Sequence, residues 1–362
     1  MGIAPDFSVF YLAAKTLVEG NNPYTAQGLF TGVGYPVFSL IPFIPFTLLP
    51  YQISQALFTF LSITSILICV LLSLKIINWR LKPFHILILF TLTLFMFPVR
   101  FTLGMGQSNN IVLLFLLSGL YLYQKKKINY SSLFFGLSVV LKPITIFLFL
   151  YFLVKKQFRL IINSLVIVFI FLLITLSSYY IYYFNNVLPP LLNLSGREIY
   201  YNQGMMGFIS RLTNDNKLRL YLNYFISFAI FVPVVYRLRK IKDAGIGFSL
   251  FLVSLVLIDT LSWQHHFVFL IFPYIVLLKK IFEIRSKYYL FLLVLSYILV
   301  AGNIKNPQLF SSPLILSHVF IGTILLFIVI IHIILICLPK KRMSKDQEKG
   351  PAKEELIKQI FL

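Results

Sequence analysis

The chain is a succession of apolar runs separated by short basic clusters. Runs of about twenty mostly apolar residues, the length that crosses a bilayer as a helix, lie near residues 51–77, 83–101, 106–124, 158–184, 216–238, 246–261, 264–282, 287–303 and 313–338. Two further stretches are irregular. Residues 35–50 hold Pro36, Pro42, Pro45 and Pro50, and residues 130–154 are interrupted by Pro143. The pattern predicts an all-α, polytopic membrane protein of about ten transmembrane helices. The two proline-bearing stretches are expected to be re-entrant or half-spanning. One domain is expected over 1–338, followed by a basic tail over 339–362.

Composition agrees with this pattern. The chain is 59% hydrophobic and 12% charged, where a soluble domain carries about a quarter charged residues. Its mean hydropathy of +0.88 makes lipid the solvent for most of it. A net charge of +21 would point to nucleic acid in a soluble protein. Here the lysines separate apolar segments, as cytoplasmic loops do, so no nucleic-acid partner is expected. Cys69 and Cys337 both sit in apolar runs and read as buried thiols, not a disulfide. Residues 1–20 lack the continuous apolar run of a signal peptide.

Basic residues favour the cytoplasmic ends of spans. The clusters are Lys75/Arg80/Lys82, Lys125–Lys127, Lys155/Lys156/Arg159, Arg237–Lys242, Lys279–Lys287 and the C-terminal tail. Placing all of them inside gives a multi-pass cell-membrane protein with a cytoplasmic C-terminus. One conflict remains, because clusters flank 130–154 on both sides. A hairpin with its tip at Lys142-Pro143 resolves it, since proline removes a backbone donor and disfavours helix before it. Non-helical backbone survives at membrane depth only inside protein or beside water. A cavity near Lys142 is therefore expected.

The opposite, extracytoplasmic face then collects the polar residues. Asp6 has two readings, a helix N-cap or a general base beside a cavity. Tyr24 closes an Asn-Asn-Pro-Tyr turn. Gln107 and Asn109 form either a turn and cap or a sugar or phosphate contact. Lys142, centred in apolar sequence, needs an anion or a route to water; a lipid phosphate is a natural partner. Arg211 reads as a phosphate ligand or an interfacial anchor, and Arg100 has the same two readings. Arg197, Asn202 and Gln203 belong to the longest loop of this face. His265 and His266 follow Trp263-Gln264, and Asp259 lies just before them. Adjacent histidines on a helix diverge by about 100° and do not chelate one metal. No nucleotide-binding, zinc or Asp-x-Asp motif is present.

With these residues in hand, the chain resembles glycosyltransferase family 87, the polyprenol-phosphate-mannose-dependent mannosyltransferases of the GT-C fold. Six segments carry the resemblance in order: DFSVFYLAAKTLVEGNNPY, YPVFSLIPFIPFTLLP, GQSNNIVLLFLLSGLYLY, GLSVVLKPITIFLFLYFLVKKQFR, NQGMMGFISRL and WQHHFVFLIFP. They span roughly residues 6–280. Two departures stand out. The family carries a helix before the Asp loop that is missing here, which implies a shortened start. Gly204 also stands where the family's Asn-Gln-Ser motif has serine.

The resemblance implies a GT-C-like bundle and an inverting hexosyltransferase with no cofactor and no metal. Its donor is a polyprenyl-phosphate sugar, and its acceptor is a glycolipid or glycan hydroxyl. Asp6 is then the catalytic base. Lys142 and Arg211 hold the donor phosphate. Tyr24, Gln107, Asn109, Asn202, Gln203, His265 and His266 contact sugar or acceptor. Two alternatives are a lipid-linked-oligosaccharide flippase or transporter, and an O-antigen ligase or polymerase. The first predicts internal repeats, and none are visible. The second predicts one large external loop, and the longest here is about thirty residues. The transferase reading requires Asp6, Lys142 and His265 to converge.

Overall fold

The structure is a computed structural model and describes residues 4–28, 31–175, 177–192, 201–304 and 312–346. Arg197 and the end of the basic tail lie outside these residues. The chain is helical throughout, with no strands among the described residues. In chain order the helices are α1 (Pro5–Val18), α2 (Tyr51–Ile76), α3 (Pro83–Phe95), α4 (Phe97–Met105), α5 (Asn109–Gln124), α6 (Ile128–Leu141) and α7 (Phe149–Val154). Then come α8 (Phe158–Ile174), α9 (Tyr179–Tyr182), α10 (Leu188–Leu192), α11 (Met205–Leu212), α12 (Asn216–Lys240) and α13 (Ala244–Ile258). The last four are α14 (Ile271–Ile284), α15 (Lys287–Ala301), α16 (Pro313–Leu316) and α17 (His318–Asp346). Tight 3-10 turns fill Val37–Leu48, Pro143–Leu148 and Gln264–Leu270. This is the all-α polytopic membrane protein that the apolar runs predict.

Among the described residues three helices are long and apolar enough to cross a membrane alone: α2, α12 and the first part of α17. Two expected single spans are bent pairs instead. The 83–101 run is α3 and α4, meeting at 66°. Pro98 sits in the first turn of α4 and has no amide to continue the helical ladder. The 158–184 run ends at Ile174, and the next helical stretch leaves at 108°. There the Thr175 hydroxyl bonds the Phe171 carbonyl and meets the Tyr180 hydroxyl at 2.7 Å.

The stretch around Pro143 turns back on itself. Helices α6 and α8 run in the same direction, because Asn129 meets Asn163 and Ser132 meets Ser164 further along both. The chain between them must therefore return. It does so as the 3-10 turn Pro143–Leu148 followed by α7. Six residues at about 2.0 Å rise and six at about 1.5 Å cover ~21 Å, the length of the fourteen-residue α6. The hairpin tip is Lys142, with extended backbone at φ −148°.

The chain ends of this bundle fall into two sets. At one end, Lys155 donates to the Leu238 and Ile241 carbonyls, Lys279 to the Ile77 carbonyl, and Lys280 pairs with Asp243 and Glu283. This is the basic end. At the other end α1 packs on the 37–48 segment through an aromatic cluster. Phe10 stacks on Phe43 with ring centres 4.6 Å apart, Phe7 lies 4.9 Å from Phe58, and the Tyr11 hydroxyl bonds the Leu49 carbonyl. The 37–48 segment is a twelve-residue 3-10 stretch, with Pro42 and Pro45 inside it.

Candidate active site

Several helices stop short at the end opposite the lysines. Helices α5, α6 and α13 have 16, 14 and 15 residues, about 21–24 Å at 1.5 Å per residue. A hydrocarbon core is about 30 Å thick. Their ends carry Asn109, Lys142 and Asp259 respectively, and the 3-10 turn beside them carries His265 and His266. Polar side chains thus meet where short helices leave room for them.

Asp6 enters from α1. It sits in the first turn, but the N-cap is Ala4 and no side-chain cap bond forms. The capping reading of Asp6 is therefore not realised. Its Oδ2 accepts from Gln107 Nε2 at 2.6 Å instead. Gly106 makes this approach possible. Its φ is +68°, and a Cβ there would lie 2.6 Å from Phe7 Cβ and 2.7 Å from Ala4 Cβ. The Ala4 amide bonds the Gly104 carbonyl at 3.1 Å, tying α1 to that turn. Burial pushes the Asp6 carboxyl above its usual range, opposed by the Gln107 hydrogen bond and by the charge of Lys142.

Lys142 is fully buried and donates to Asn109 Oδ1. Asn109 Nδ2 in turn donates to the His265 carbonyl at 2.7 Å. Asn109 is thus a bridge, not a cap. Asp6 and Asp259 are the two carboxylates whose charge acts on Lys142. Neither forms an ion pair with it among the described residues. A buried ammonium stands near two carboxylates without touching either.

The two histidines part ways. His265 lies against Phe101, with ring centres 6.0 Å apart, and its buried Nδ1 has no partner. His266 turns its ring 78° away, and its Nδ1 lies 3.5 Å from Asp259 Oδ2. Tyr35 is half-buried and feels both Asp6 and Asp259. Asp259 and Tyr35 were not among the expected site residues. Asp259 was visible in sequence as an isolated carboxylate in apolar surroundings, and Tyr35 only as part of a Tyr-Pro turn.

Other expected site residues brace the walls. Tyr24 is buried, stacks on Tyr182 at 5.8 Å and donates its hydroxyl to the Tyr35 carbonyl. Asn202 pairs with Trp263 in an isolated antiparallel bridge, and its Nδ2 donates to the Thr260 carbonyl. Gln203 Nε2 donates to the Leu316 carbonyl. Arg211 donates to the Asn202 carbonyl and to Ser317 Oγ, leaving a buried Nη2 without a partner. Burial lowers its guanidinium to about 10, so it stays charged at neutral pH. Arg100 is exposed on α4. Among the described residues no three His, Cys, Asp or Glu side chains gather as a metal site.

The helical membrane bundle thus brings a carboxylate, side-chain amides and a buried cation together at one end. The sequence profile of glycosyltransferase family 87 matches residues 33–264, more than half of the chain, so the protein belongs to that family and is a membrane glycosyltransferase. Neither the curated proteins nor the solved structures compared with it give a match. The matched region holds Gln107, Asn109, Lys142, Asn202, Gln203 and Arg211. Asp6, His265 and His266 lie outside it, and geometry alone joins them to the site.

Proposed function

We propose that the protein transfers a hexose, mannose by its resemblance, from a polyprenyl-phosphate donor to an acceptor hydroxyl. The reading is supported above all by one arrangement: Gln107 bonds Asp6, Asn109 two residues on bonds Lys142, and the two charged groups do not pair with each other. An acceptor hydroxyl fits against Asp6, and a phosphate fits against Lys142. Asp6 removes the acceptor proton as the oxygen attacks the anomeric carbon. The bond from that carbon to the phosphate oxygen breaks, and its electron pair leaves with the polyprenyl phosphate. A single displacement of this kind inverts the anomeric centre. Lys142, with the spare Arg211 nitrogen, steadies the charge growing on the phosphate. Gln107 and Asn109 hold base and cation in register. The site faces the extracytoplasmic side of the cell membrane, and the basic end with the C-terminus is cytoplasmic, by the charge bias of the loops. Acceptors of this reading are glycolipids or glycans.

The test uses purified protein in lipid nanodiscs with polyprenyl-phosphate-[14C]mannose and a panel of mannosides. Sugar transfer by the wild type and its loss in Asp6→Asn are expected. Equal transfer by both removes Asp6 as the base.

A further inference from the structure

The second carboxylate of the site has no part in that chemistry, yet the fold goes to some length to place it. Asp259 is the residue that ends α13, with extended backbone at ψ 129°. Its Oδ1 accepts the Leu261 amide at 3.2 Å, which fixes the carboxylate on its own turn. Its Oδ2 faces His266 Nδ1 at 3.5 Å, with both side chains nearly buried. The turn is gripped from outside. Asn202 holds the Thr260 carbonyl, and Gln203 N–H bonds the Ser262 carbonyl at 2.8 Å. Gly204 presses closest, since a Cβ there would lie 2.5 Å from the Asp259 carbonyl oxygen and 2.9 Å from Ser262 Cβ. The glycine that departs from the family's serine is thus the residue that lets this loop seat Asp259.

An imidazole has two distinct nitrogens, and the partner of one decides what the other does. A carboxylate at Nδ1 keeps the proton there and leaves Nε2 with a lone pair. His266 Nε2 has no hydrogen-bond partner among the described residues. His265 lacks such a carboxylate, because its ring lies on Phe101 and only its carbonyl engages Asn109.

We infer that Asp259 is a positioning residue that holds His266 in the Nδ1–H form, so that Nε2 serves as a hydrogen-bond acceptor for a sugar hydroxyl. The role of the sugar rests on the transferase reading, whereas the Asp259–His266 pairing does not. Of the two carboxylates, Asp259 faces His266 and Asp6 faces Gln107.

The first experiment is independent of catalysis. Protein labelled with 15N-histidine is placed in nanodiscs, and the His266 ring signals are assigned by their loss in His266→Gln. Wild type is expected to show a protonated Nδ1 and a bare Nε2, and Asp259→Ala to lose that preference. If Asp259→Ala does not fold, Asp259→Asn carries the same comparison, since its amide nitrogen can donate to Nδ1 and favour the other tautomer. The same His266 tautomer in wild type and variant, or a wild type protonated at Nε2, overturns the inference. The second experiment measures transfer from polyprenyl-phosphate-[14C]mannose. Asp259→Ala and His266→Gln should each lower kcat by about tenfold to a hundredfold, and the double variant no further than the worse single one. Losses that multiply overturn the coupling. If no transfer occurs in wild type, the donor reading fails while the NMR result still decides the pairing.

Discussion

The two ends of the helix bundle use buried polar groups in opposite ways. At the basic end each anchored lysine is consumed by structure. Lys155 closes the C-terminal carbonyls of α12, Lys279 takes the Ile77 carbonyl at the end of α2, and Lys280 sits between Asp243 and Glu283. Carbonyls at a helix C-terminus lack intrahelical donors, and a cation satisfies them and the helix dipole together. At the other end Lys142 meets a single side-chain amide. Around it Gln107 Oε1, His265 Nδ1 and both amide atoms of Gln264 are buried without partners. Buried polar atoms are normally hydrogen-bonded because an unmade bond costs about 1–3 kcal/mol each. The same residue type is mortar at one end and unspent capacity at the other. Unspent capacity is what a ligand requires.

The comparison can be broken or sharpened by experiment. The largest effect belongs to Asp6→Asn, which should lower kcat by about 10²–10⁴-fold, the usual worth of a positioned base, with little change in thermal unfolding. Lys142→Met should follow with a loss of roughly 10²–10³-fold, the range for removing one preorganised charge-stabilising donor. Its partner experiment is Lys155→Met, which should leave kcat within about twofold but lower unfolding stability by ~1–3 kcal/mol, since it orphans carbonyls. If Lys155→Met instead abolishes transfer while the protein stays folded, the division between the two ends fails. A pH profile gives the next distinction. A base works only when deprotonated, and burial raises the Asp6 carboxyl. The acid limb of kcat/KM should therefore fall at a higher pH than for an ordinary carboxylate, and should vanish in Asp6→Asn. The smallest effect is expected from Gly106→Ala, which strains a left-handed residue and crowds Phe7 and Ala4. About 1–3 kcal/mol of lost stability, read by thermal unfolding, should come with weaker transfer as α1 is pushed off Gln107.

Much of this was legible in the chain. Charge bookkeeping alone demanded that 130–154 turn back, because a lysine cluster at each end of one span is impossible to orient. The parallel run of α6 and α8 supplies the geometry of that reversal. Lys142, Gln107 and Asn109 stood out because each is polar within apolar sequence. The bends at Pro98 and Thr175 did not, since an apolar run looks the same whether straight or broken. Asp6 was ambiguous between a cap and a base, and only the tertiary structure shows that it caps nothing and meets Gln107, 101 residues away.

The sequence by itself determined the membrane class, the helix periods and the set of polar residues excluded from lipid, because hydrophobicity and charge act locally along the chain. The tertiary structure decided which of those residues meet. Tyr24, Asn202, Gln203 and Arg211 bond backbone carbonyls of other segments, Asp259 meets His266, and His265 lies on Phe101. Such pairings depend on where short helices end and on a glycine's missing side chain pressed against Asp259. The contacts of Gly204 with Asp259 and of His265 with Phe101 join segments far apart in the chain, and no local pattern encodes them.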